Sequence, residues 1–152
     1  MLMREARPDD IPVMLILAHA GDARGAETPP LDTDSLSDLR YRQAFDTISA
    51  DPNNWLYVAE HNGQVVGTLQ ITRVPGLSRL GTCRAMLENV FVDPDHRGAG
   101  IGTEMMNWAI AHCRDLGCSM VQLTSNKLRL DAHRFYSRLG FEATHEGFKL
   151  YF

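Results

Sequence analysis

The stretch that most constrains this chain is Asn89-Val90-Phe91-Val92-Asp93-Pro94-Asp95-His96-Arg97-Gly98-Ala99-Gly100-Ile101-Gly102-Thr103. Strand-forming residues stop at Asp93-Pro94, and a loop with three alternate glycines leads straight into a helix. Gly98, Gly100 and Gly102 remove Cβ atoms where ligand oxygens can approach the main chain. Unpaired N–H groups of the first helical turn and the positive end of the helix dipole suit a phosphate or pyrophosphate. Arg97 adds charge-assisted donors. The spacing excludes two familiar phosphate loops. G-x-G-x-x-G fails from either Gly98 or Gly100, and the P-loop lysine is missing. What fits is R-x-x-G-x-G/A between a strand and a helix. The alternative is a glycine turn that binds nothing.

Flanking patterns predict one mixed α/β or α+β domain over residues 1–152, a usual domain length. A short strand at Met1–Arg7 precedes a helix opened by Pro8-Asp9-Asp10 and running to about His19. Gly21–Pro30 reads as a loop and Thr33–Ala50 as a second helix. Trp55–Ala59, Gln64–Thr72 and Cys83–Val92 are strands, the first two joined by the Asn62-Gly63 hairpin turn. Helices follow at Gly100–Leu116 and Asp131–Leu139, each closed by a glycine, with a strand at Met120–Thr124 between them. Phe141–His145 and Phe148–Tyr151 are expected to form a last hairpin around Glu146-Gly147.

Composition narrows the partners. The net charge is −4, and of the fifteen cations only Lys127 and Lys149 are lysine. The cations are scattered, which disfavours nucleic acid and anionic membrane. No apolar run reaches the roughly 20 residues of a membrane span. Ala18-His19-Ala20 resembles a signal-peptidase site, but Glu5, Asp9 and Asp10 before the apolar run argue against a signal peptide. Cys83, Cys113 and Cys118 make an odd count with no C-x-x-C pair, as expected in a reducing, cytoplasmic setting. The six histidines lack zinc spacing, so no metal is expected.

The loop Arg97–Gly102 resembles that of the GNAT superfamily of acetyl-CoA-dependent N-acetyltransferases. Asp131-Ala132-His133-Arg134-Phe135-Tyr136-Ser137-Arg138-Leu139-Gly140-Phe141 is similar to that family's A-x-x-F-Y-x-x-x-G-F segment. The resemblance implies a central, mostly antiparallel sheet of about seven strands flanked by about four helices. It implies that Arg97, Gly98, Ala99, Gly100, Ile101, Gly102 and Thr103 hold the pyrophosphate of acetyl-CoA. Main-chain groups along Val90, Phe91 and Val92 would receive the pantetheine arm, with Val90 N–H the oxyanion donor. Tyr136 matches the tyrosine that protonates the departing thiolate; its other reading is a packed aromatic beside Phe135. Glu88 occupies a position where related enzymes carry a carboxylate base. Its other reading is a strand-edge glutamate facing solvent or paired with Arg84.

One position departs from the pattern. Where many members place an asparagine seven residues before the tyrosine, this chain has Arg129. Asn126, three residues earlier, is the substitute candidate for the cofactor amides, while Arg129 has the 3′-phosphate or the substrate within its range. His133, on nearly the same helical face as Tyr136, reads as a cofactor-side residue, a base or a capping histidine. The acceptor is expected to be a primary amine of a small molecule or peptide. Asp22, Glu27, Asp32, Asp34 and Asp38 favour a cationic small molecule such as a polyamine, an aminoglycoside-like compound or an amino-acid derivative. A non-catalytic acyl-CoA sensor and a different acyl donor are the competing readings. A homodimer is expected to use the apolar segment Phe148–Phe152, unless that segment is core.

Overall fold

The structure, a computed structural model, describes residues 1–21, 31, 32 and 34–152. Its elements are β1 (Leu2–Glu5), α1 (Ile11–Ala20), α2 (Leu39–Ala50), β2 (Asn54–His61), β3 (Gln64–Pro75), β4 (Cys83–Val92), α3 (Ile101–Asp115), β5 (Cys118–Leu123) and α4 (Leu130–Arg138). The five strands form one sheet in sequence order. β1 to β4 pair antiparallel and β5 joins β4 in parallel. The parallel crossover from β4 to β5 is made by α3, the connection a parallel pair requires.

Strand alternation splits the core into two layers. Tyr57, Ala59, Leu69, Ile71, Ala85 and Leu87 pack against Met105, Met106, Ala109 and Cys113 of α3. On the opposite face Val58, Val66 and Thr68 are buried with Leu17 of α1 and Phe45 of α2. With both faces covered, four successive residues of β3, Val66 to Leu69, are buried.

Three expectations are corrected. The helix expected over Thr33–Ala50 is broken: a single 3₁₀ turn covers Asp34–Ser37 and α2 begins at Leu39. Asp38 sets the boundary, since its carboxylate accepts from Arg40 N–H and caps the new helix. The expected start at Thr33 lies outside the described residues, as does the loop reading beyond Gly21. The last hairpin is absent among the described residues, so the sheet has five strands, not about seven. Phe141 still packs on the core, but the chain from Glu142 onward forms no ladder. Alternation in Phe148–Tyr151 supplied a strand pattern without a strand partner.

The β1–α1 corner is locked by charge. Arg4 donates to both oxygens of Asp10 at 2.7 and 3.0 Å and to Glu60 at 2.9 Å. Asp10 also accepts from Arg7 N–H at 2.7 Å, which tightens the turn before α1. Hydrogen bonds from the Arg4 guanidinium hold the Asp10 carboxyl below the usual carboxylate range. Because this folded-state value lies below the unfolded one, the pair contributes its stability above about pH 4. That contribution is lost as pH falls through the folded value. Removing one partner of a buried pair costs about 3–5 kcal/mol, and the partial exposure here reduces the expectation to about 2 kcal/mol. Asp10→Ala is therefore expected to lower the denaturation midpoint at pH 7 and to flatten stability against pH below 4. Urea titrations at several pH values check both.

The three thiols are free and buried. Cys83 and Cys118 open adjacent strands, with their Sγ atoms 3.5 Å apart. Burial pushes the Cys113 thiol up to about 12.

Candidate active site

The site is built where β4 leaves β5. Their parallel pairing runs from Cys83 opposite Cys118 to Leu87 opposite Leu123 and then stops, although β4 continues five residues to Val92. Two local features open this gap. Between Gln70↔Glu88 and Thr68↔Phe91 the β3–β4 register slips by one residue, and Asn89 takes a left-handed conformation (φ 52°). A bulge of this kind bends a strand and increases its twist. Beyond it, Asp93 N–H still donates to Val66 O at 2.9 Å. Strand alternation then turns the main-chain groups of Val92, and of Val90, away from β3 and into the gap. Val90 and Val92 have no β-ladder partner on that side among the described residues.

The glycine loop closes the end of the gap. Pro94–His96 form one 3₁₀ turn, capped by Asp93, whose carboxylate accepts from Asp95 N–H. Gly98 and Gly100 adopt φ of 82° and 83°, a left-handed backbone that disfavours any side chain. Gly100 is the N-cap of α3 and carries no side-chain cap, so the first-turn N–H groups face outward. Ile101 is buried and anchors the turn in the core, while Arg97, Ala99 and Thr103 are exposed. Gly102 differs from the other two. A Cβ there would lie 3.5 Å from Phe135 and 3.6 Å from Val92, an ordinary contact. Gly102→Ala is therefore expected to fold well and gain up to about 1 kcal/mol from helix propensity. A loss of CoA affinity in this stable variant, read by calorimetry, would mark close ligand approach at the helix start.

α4 supplies the opposite wall. Tyr136 packs against Phe135 and Phe141 with ring centroids 5.3 and 5.9 Å away. Burial raises its phenol above the ordinary value of 10.0, with Arg129 opposing the shift. The hydroxyl thus holds its proton throughout the neutral range. Ser125, just past β5, has a buried Oγ with no hydrogen-bond partner. Sequence reasoning missed this residue because a lone serine in a loop carries no pattern. Its orphaned hydroxyl, the unpaired strand and the bare helix start together fit a phosphorylated, amide-bearing ligand.

Other candidates fall in different places. His133 Nε2 is 2.9 Å from Asn126 O, and the Asn126 carboxamide oxygen accepts from Leu128 N–H at 2.9 Å. Both side chains thus shape the loop before α4. The Phe91 ring points to the other face of the sheet, against Gly21. Glu88 is exposed on that same face, opposite Gln70. It stands at the end of a polar row: Gln70 donates to Asn54 at 3.0 Å and accepts from Asn89 at 3.1 Å. Glu88 therefore lies on the face opposite the core cluster against which Tyr136 packs. Among the described residues no three His, Cys, Asp or Glu side chains converge, and no helix is long and apolar enough to cross a membrane.

A five-stranded sheet parted at a bulge, with a glycine loop at the end of the breach, frames the site. The pattern of the acetyltransferase (GNAT) family matches residues 22–141, and the chain belongs to that family. It is 32% identical to an aminoalkylphosphonate N-acetyltransferase of Salmonella typhimurium, with 95% of this chain and 96% of that one aligned. It is 31% identical to a glucosamine 6-phosphate N-acetyltransferase of Trypanosoma brucei brucei, over 77% and 75% of the two chains. A crystal structure described as a transcriptional regulator from Bacillus halodurans superposes with a TM-score of 0.89 at 39% identity, covering 99% of both chains.

Proposed function

We propose that this enzyme transfers the acetyl group of acetyl-CoA directly to the primary amine of a small molecule bearing a phosphonate or phosphate group. The observation that carries the transferase reading is the breach between β4 and β5, with main chain at Val90 and Val92 that has no ladder partner on that side, and with Tyr136 of α4 packed against the same core cluster as both valines. Acetyl-CoA supplies a thioester whose acyl carbon is open to attack by an amine.

The chain's own residues divide the remaining work. Arg97 and the N–H groups from Gly98 to Thr103 bind the pyrophosphate. Val92, Val90 and the Ser125 hydroxyl hold the amide-bearing arm. The N–H of Val90 stabilises negative charge developing on the acyl oxygen, as fixed backbone donors do. Tyr136 gives its proton to the departing sulfur. An alkylammonium with pKa near 10.4 is more than 99% protonated at pH 7, so the acceptor must shed a proton before attack. Glu88 takes it, directly or through water, from the α1/α2 face.

The acceptor class is supported by the two relatives, whose substrates by name carry a phosphonate and a phosphate beside the amine. The acidic residues that suggest a cation are partly neutralised locally. Asp38 is held by Arg40 at 2.6 Å. Asp22 and Glu27 lie outside the described residues. Release of free thiol from acetyl-CoA tests this against aminoalkylphosphonates, glucosamine 6-phosphate, polyamines and aminoglycosides. Turnover confined to the first two compounds is expected. Turnover on polyamines alone would replace the anionic acceptor with a cationic one.

A further inference from the structure

Cys83 and Cys118 stand 35 residues apart in the sequence and meet only because β4 and β5 begin side by side. Both belong to the core cluster under α3. They keep 6% and 9% of their surface, against none for Cys113, so a small oxidant in solution reaches the first two and not the third. As Cα partners on neighbouring strands they lie about 5 Å apart, inside the range of about 4.4–6.8 Å that a disulfide spans. The Arg73 guanidinium stands beside both sulfurs. Its buried Nε finds no oxygen to donate to among the described residues, which leaves it to a charged sulfur. Burial opposes ionisation at Cys83, but hydrogen bonds from Cys118 and Arg73, with the charge of Arg73, outweigh it. They bring this thiol below its ordinary range. Burial and the neighbouring Cys83 push Cys118 the other way. The pair therefore divides into an attacking sulfur and a resolving one.

We propose that Cys83 and Cys118 are a reversible oxidation site, at which hydrogen peroxide converts the two thiols to a disulfide between β4 and β5. Cys83 Sγ, as thiolate, attacks one peroxide oxygen. An S–O bond forms, the O–O bond breaks, and the departing hydroxide takes up the proton that Cys83 released, giving water. The sulfur is oxidised to a sulfenic acid and the peroxide is reduced. Cys118 then attacks that sulfur. The S–S bond forms, the S–O bond breaks, and the second hydroxide leaves as water with the Cys118 proton. Two thiols and one hydrogen peroxide thus give one disulfide and two waters, and a dithiol reductant reverses the change. The disulfide closes a ring over Arg84–Gly117, which holds nearly all of β4, the glycine loop and α3. On the reading proposed above, that ring carries the donor half of the site. Closing it restricts the unfolded chain there and stabilises the fold.

The three cysteines fall on separate tryptic peptides, Leu80–Arg84, Gly98–Arg114 and Asp115–Lys127, so mass spectrometry identifies the bond directly. After the native full chain is treated with hydrogen peroxide, the first and third peptides are expected to be joined, with the loss of two hydrogens. Cys113 should remain a free thiol, alkylated only after unfolding. Cys118→Ser is expected to stop at a Cys83 sulfenic acid, trapped by dimedone, and Cys83→Ser to form no bond. Arg73→Gln is expected to slow the reaction about tenfold, as one unit of thiol pKa does, with Arg73→Lys restoring part of the rate. The oxidised wild type should unfold at higher urea, and dithiothreitol should return it to the reduced midpoint. No joined peptide, or a bond through Cys113, overturns the proposal. Equal rates for wild type and Arg73→Gln overturn the role of Arg73, and an unchanged urea midpoint overturns the stabilising ring.

Discussion

Tyr136→Phe is expected to lower kcat by about 10²–10³-fold while leaving CoA affinity nearly unchanged, because the ring and its packing remain and only the proton is lost. The ring sits between Phe135 and Phe141, so phenylalanine keeps both contacts. pH adds a second signature. Burial holds the phenol above its ordinary value of 10.0, so the alkaline fall in kcat of the wild type should lie above that pH. The variant should lack that limb. Steady-state kinetics with calorimetry on both proteins provides the check. An unchanged kcat would transfer the leaving-group proton to water.

Gly100→Val is expected to weaken CoA binding by about 10–100-fold, or about 1.4–2.8 kcal/mol. Nothing lies within 4 Å of the position a Cβ would take, so steric collision inside the protein is not the cause. The cause is the φ of 83°, which costs a β-branched residue more than the 1–2 kcal/mol typical of left-handed backbone, and the methyls that meet an approaching phosphate. Gly63→Val is the matched control. It has φ of 77°, equally open surroundings, and lies in the β2–β3 turn. Both variants should lose stability, and only Gly100→Val should lose cofactor. Equal losses of affinity would make the glycine loop a structural turn.

The sequence made the strands, the glycine loop and the helices legible because each follows from local rules. Cys83–Val92 is bounded as expected, and Gly117 and Gly140 take the left-handed backbone that ends a helix. What it hid depends on pairing at a distance. The bulge at Asn89 arises only when β4 meets β3, and the parting of β4 from β5 follows from where the ladder stops. Ser125 became visible through the one partner it lacks. The failed last hairpin teaches the converse: alternation in Phe148–Tyr151 specifies a strand's faces but not what it pairs with. Asp38 was counted among acidic surface residues, yet its position two residues before the Arg40 amide made it a cap.

The bulge at Asn89 also governs how this scaffold can change over time. Val90 and Val92 serve one side of the sheet, while Glu88 and Phe91 serve the other, so neighbouring letters of one strand answer to different tasks. On the division of roles proposed above, drift in the letters facing α1 and α2 would retune which amine is accepted without disturbing the donor grip. A one-residue deletion at Asn89 would do the opposite. It would take out the extra residue of the bulge, leave each side chain of β4 on its own face, and remove the bend that parts β4 from β5. Acceptor preference in such a protein is therefore free to wander by substitution, while strand length is held fixed.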